Sequence, residues 1–189
     1  MISKPEAVDA LREVERVHRR TSTGGAYAKA SPHLLFGGVI WTIGYAATGL
    51  ARPEQWALIW LPLAFIGAVG SYVIAYASQR REEGNPAARV VHASRVLWMI
   101  GTTMAFIAST FLLFLPGDPL AYLAFPALVM AFLYVLLGSF GLPRFQWIGA
   151  GMFALLILGL IIGRESIAFW VAVAGGGGLI LGGLWLRKA

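Results

Sequence analysis

At 189 residues, 58% hydrophobic and only 13% charged, the chain falls outside soluble globular composition, in which about a quarter of residues are charged. It has no cysteine, which excludes disulfides, thiol catalysis, iron–sulfur ligation and covalent c-type haem. The formal charge of +6 would suit nucleic acid, but its distribution argues against that partner. All but Arg52 and Arg164 of the fifteen Lys and Arg lie in the N-terminal tail, the connections near Arg80–Arg95 and Arg144, and the C-terminus. That is the positive-inside pattern of a multi-pass membrane protein with both termini in the cytoplasm.

Residues 3–20 read as an amphipathic cytoplasmic helix. Ser3 and Glu6 have capping-box spacing, and Pro5 sits in the first turn, where its missing N–H is harmless. Acids lead (Glu6, Asp9, Glu13, Glu15) and bases follow (Arg16, Arg19, Arg20), in keeping with the helix dipole. The thin apolar face of Leu11 and Val14, continued by His18, is the candidate docking surface for a cytoplasmic partner. Thr21 to Ser31, with Gly24-Gly25, reads as a flexible link. The domain boundary is therefore expected at 31, with residues 1–31 preceding a bundle over 32–189. No apolar signal-peptide core precedes the first span, which is expected to serve as an uncleaved signal anchor.

From Leu34 onward, six uncharged apolar stretches are each long enough for a hydrocarbon core about 30 Å thick. The spans are expected at about 34–51, 56–78, 96–115, 120–142, 146–163 and 167–186. The fold class is thus all-α, an integral membrane protein of six transmembrane helices arranged as three sequential hairpins. Gln79 to Arg95 is the one sizeable internal loop expected. The short loops and the Gly- and Ala-rich composition suit a bacterial inner membrane. The fifth span, almost without polar side chains, is expected to face lipid.

The span entries His33-x-x-Phe36, Arg95-x-x-Trp98 and Arg144-x-x-Trp147 share a basic or potentially basic residue one turn before an aromatic. Pro62 and Pro126 stand at equal distances before Arg80 and Arg144, and Glu54 and Asp118 keep matched offsets to the same arginines. These correspondences point to an internal hairpin repeat. Membrane-interface preferences alone would produce part of the likeness.

Hydroxyls and aromatics in the first three spans (Tyr45, Thr48, Tyr72, Tyr76, Thr102, Thr103) are the candidates for a polar path. Small residues mark a candidate helix-packing face: Gly67 and Ser71 in the second span, Ala174, Gly178 and Gly182 in the sixth. The run Gly175 to Gly178 would cost about 1 kcal/mol per glycine in helix propensity, a cost that close backbone packing can offset. Glu54, Asp118 and Glu165 are expected in outer loops, either as solvated turn residues or gathered as a weak cation-attracting ring. No span contains an ionisable residue, which disfavours proton-coupled carriers. No phosphate loop, metalloprotease helix or nucleophile elbow is present, so no catalytic residue, metal or cofactor is expected. What remains is a non-enzymatic membrane protein acting through protein interaction or homo-oligomeric assembly in the lipid bilayer. The alternative is a small-solute transporter or channel, oligomeric, using the hydroxyl-lined path.

Overall fold

The structure is a computed structural model that describes the backbone of residues 4–80, 86–114 and 117–188, and side chains for 13–14, 23–78, 98, 101–114 and 117–188. Its elements are α1 (Lys4–Leu50), a 3-10 turn (Pro53–Gln55), α2 (Trp56–Arg80), α3 (Pro86–Phe114), α4 (Pro119–Ser139) and α5 (Pro143–Ile162). A second 3-10 turn (Arg164–Ser166) leads into α6 (Ile167–Val171), a π-helical stretch (Ala172–Gly177) and α7 (Gly178–Leu186), which together form one rod. The described residues contain no strand. Among the described residues, five helices are long and apolar enough to cross a membrane: Thr23–Leu50, Pro53–Ser78, Pro119–Ser139, Pro143–Ile162 and Arg164–Leu186. The described apolar part of α3 is shorter, Gly101–Phe114. The chain therefore fits a helical membrane protein, where hydrogen bonds within each helix satisfy the backbone that lipid cannot.

Helix boundaries follow local chemistry. Pro119 and Pro143 sit at the first positions of α4 and α5, where proline's fixed φ is already helical. Asp118 caps α4, its carboxylate accepting the Leu120 N–H at 2.9 Å. The tight turn from α4 to α5 passes through Gly141 at φ 102°, a left-handed conformation that favours glycine.

Two expected loops are helical. The flexible link over Thr21–Ser31 is part of α1, which runs unbroken for 47 residues through Gly24-Gly25 and Pro32, about 70 Å at helical rise. The reason lies in its inner face. Tyr27, Ser31, Leu34, Gly38, Trp41, Tyr45 and Thr48 alternate by four and three residues and all lie buried or packed on the core. Such a stripe keeps one side of a helix against its neighbours. Burial of Tyr27 and Ser31 fixes the segment that the glycines would loosen, and Pro32 points outward. The stretch Gln79 to Arg95 is likewise mostly backbone helix, with α3 already begun at Pro86, and only 81–85 of it lies outside the described backbone.

The last hairpin is the centre of the bundle. The rod α6–α7 packs against α1 on one side and α5 on the other, α4 packs along α5, α2 leans on α1, and α3 touches α4. More than half of the rod's apolar window is buried, and none of α2's. The fifth span, expected to face lipid, is uncovered on one side and packed on the other. Phe145, Gly149, Met152, Leu156 and Gly159 form an inward stripe on α5. Met152 and Gly159 meet the rod, and Gly149 meets α4 so closely that a Cβ there would stand 2.6 Å from the Ala131 carbonyl oxygen. The absence of polar side chains thus covers both a face packed on small neighbours and an open one, where Trp147, Phe153, Ile161 and Ile162 are exposed.

Candidate functional site

The six path residues fall into separate places. Tyr45 and Thr48 are buried between α1 and α2. Tyr45 meets the rings of Trp41 and Trp60 edge-on, at 5.5 and 4.8 Å between centroids. Thr48 donates its hydroxyl to the Gly44 carbonyl at 2.7 Å and accepts the Trp60 indole N–H at 3.1 Å. This aromatic nest excludes water and pins α2 to α1. Tyr72 and Tyr76 stack on each other on the exposed face of α2. Thr102, exposed on α3, donates to the Trp98 carbonyl at 2.7 Å, and Thr103 is half-buried. Thr42, Ser78, Thr110 and Ser139 also bond the carbonyl four residues back. That is how hydroxyls are accommodated within a membrane helix.

The packing-face candidates divide by helix. Gly178 and Gly182 receive Met152 and Ile148 of α5, and Ala174 is fully buried. Gly175, Gly176 and Gly183, one step around the rod, instead receive Trp41, Thr42 and Leu35 of α1. The wider π turn at Ala172–Gly177 carries glycine surface toward α1 while Gly178 continues the face toward α5. Gly67 of α2 has open space around its Cβ position and Ser71 is exposed, so neither packs within the chain. On α2 the close approaches are at Gly70, against Phe36, and opposite Gly44, which receives Trp60 and Leu63. Of the docking residues, Val14 is 67% exposed, while the side chains of Leu11 and His18 lie outside the described residues.

The polar group with the richest geometry lies at the face where α1 enters, α5 begins and α7 ends. Arg144 lies between two rings, its guanidinium carbon 5.5 Å from the Tyr27 ring centre and 5.2 Å from that of Trp185. Its Nη1 donates to the Trp185 carbonyl at 2.8 Å, and its backbone N–H to the Tyr27 hydroxyl at 3.2 Å. Ser31 Oγ donates to the Gly183 carbonyl at 2.7 Å. Helix ends leave first-turn N–H and last-turn C=O groups unpaired. Here Tyr27 of α1 serves the start of α5, and Arg144 of α5 serves the end of α7. The sequence signal was available in part: Tyr27 and Ser31 continue the four-three spacing of the first span backward past Leu34. The glycine pair Gly24-Gly25, which reads as a loosening signal, concealed it.

The opposite face holds the outer acids. Asp118 is joined to Arg164 at 2.6 Å, which ties the start of α4 to the turn before α6, while Glu54 and Glu165 lie exposed. Among the described residues no three His, Asp or Glu side chains gather as a metal site. The chain matches no protein-family model, and no curated protein or solved structure is significantly similar to it.

Proposed function

We propose that this is a non-enzymatic multi-pass protein of a bacterial inner membrane that works by protein interaction, with both termini in the cytoplasm. The observation that carries the reading is the continuity of α1. One helix packs one face into the bundle from Tyr27 to Thr48 and continues without a break to Lys4. A partner seated on residues 4–22 would act directly on the core, because no flexible link intervenes. The face crowded with Arg144, Arg187 and Lys188 is the cytoplasmic one in this reading. The six-span layout as three hairpins, α1–α2, α3–α4 and α5 with the α6–α7 rod, belongs to the same proposal, as does their origin in a repeat. The uncovered apolar faces of α2 and α3 then meet lipid or a second copy. The scattering of Tyr45, Thr48, Tyr72, Tyr76, Thr102 and Thr103 favours interaction over solute transport.

Cross-linking in native membranes, comparing the full chain with one lacking residues 1–20, tests this. The full chain should give a discrete cross-linked adduct that the truncated chain loses while keeping its elution volume and melting temperature. An adduct retained after truncation, or none with the full chain, counts against it.

A further inference from the structure

On the outer surface of α1, beside the end of α7, lies a groove of about 360 Å³ lined by Pro32, Leu35, Phe36, Val39 and Arg187. Four of its five residues are apolar, and they extend two turns along α1, about 10 Å. The one charge stands at the C-terminal end of α7, on the face where Arg144 and Lys188 also lie. Leu35 is held in place by Gly183 of α7, and Phe36 by Gly70 of α2, so the groove is a gap between two packed seams with α1 as its floor. An apolar channel parallel to a membrane helix, with one guanidinium at the headgroup level, matches an amphiphile with an acyl chain and an anionic head. A planar guanidinium can hold a phosphate through two parallel hydrogen bonds, and the cationic group of a zwitterionic head would weaken the charge attraction that accompanies them. We infer that this groove binds an anionic phospholipid, with the first part of one acyl chain along Leu35, Phe36 and Val39 and the phosphate on Arg187.

The test uses the full chain purified in a neutral detergent and stripped of lipid. Phosphatidylglycerol should raise the melting temperature, whereas phosphatidylcholine and inorganic phosphate should not. Arg187→Gln should lose most of that shift, and Val39→Trp, which fills the groove with Arg187 in place, should lose it too. Lys188→Gln should keep it, separating a built site from general surface charge. A phosphatidylglycerol with a photoreactive acyl chain, used on the unmodified protein, should label the peptide containing residues 32–39. Equal stabilisation by phosphatidylcholine, a full shift from phosphate alone, a full shift in Arg187→Gln, or labelling confined to other helices would each overturn the assignment.

Discussion

The carbonyl oxygen of Gly176 lies 2.8 Å from where a Cβ on Gly38 would stand, so α1 and the π-helical stretch meet backbone to backbone. Neither partner can rotate away as a side chain could. Gly38→Ala should therefore cost about 1–3 kcal/mol, the range of core overpacking. Gly37, one position along, has nothing near its Cβ position. Gly37→Ala should be neutral or stabilise by up to about 1 kcal/mol through helix propensity. Thermal unfolding of the two variants in one detergent checks both signs. A Gly38→Ala protein as stable as the unmodified chain would show that the two helices do not cross this closely.

The Thr48 hydroxyl ends two hydrogen bonds in a buried nest, and Thr48→Val keeps the shape while removing both. The indole N–H of Trp60 would be left without its acceptor, at a cost of about 1–3 kcal/mol. Ser139→Ala should change stability by less than about 0.5 kcal/mol, since that residue is exposed and its hydroxyl donates to the Val135 carbonyl four residues back. The pair separates buried from surface hydroxyls in a single melting experiment. Tryptophan emission should shift only in the Thr48 variant.

Arg144 performs three tasks at once, and a lysine can perform few of them. Its planar head stacks on Tyr27 and Trp185 while Nη1 reaches the Trp185 carbonyl. An ammonium is a point charge without that flat face. Arg144→Lys should accordingly be nearly as destabilising as Arg144→Ala, with losses of about 1–2 kcal/mol from the stacking and the carbonyl contact. If lysine restored full stability, the charge rather than the stacked geometry would be what matters there.

The helical class was legible because uncharged segments of this length have few other uses. Placement was less legible, for a specific physical reason. Between membrane helices the apolar face that packs on protein and the one that meets lipid have similar composition, so Leu156, fully buried, and Leu181, largely exposed, look alike in sequence. What distinguishes the inner faces is size. Ala127, Ala131, Gly149 and Gly159 mark the α4–α5–rod core, and an equally small Gly67 on α2 marks nothing within the chain. The Arg144 clasp joins positions 27, 144 and 185, and no spacing rule connects residues so far apart. The four-three stripe of α1 could have been followed back to Tyr27. The glycine pair Gly24-Gly25, read as a flexible link, stopped it short.

The Asp118–Arg164 pair makes the outer face pH-sensitive in a direction that follows from its geometry. The Asp118 carboxyl is held below the usual carboxylate range, first by the Leu120 N–H, then by the hydrogen bond and charge of Arg164, with slight desolvation opposing. A carboxylate with a depressed folded pKa stabilises the fold above its ordinary value, and that contribution disappears as pH falls through the folded one. Asp118→Asn should thus melt below the unmodified chain at neutral pH, with a gap steady down to about pH 5 that narrows in more acid solution. Both side chains are exposed, so the Arg164 share should shrink in high salt. The Leu120 cap should survive salt, leaving Arg164→Gln less affected than Asp118→Asn. Melting curves of the three proteins across pH and at two salt concentrations decide the matter. Identical melting at pH 7, or a gap undiminished at the most acid pH, would mean that the Asp118 charge stabilises neither the α4 cap nor the tie to the α5–α6 turn.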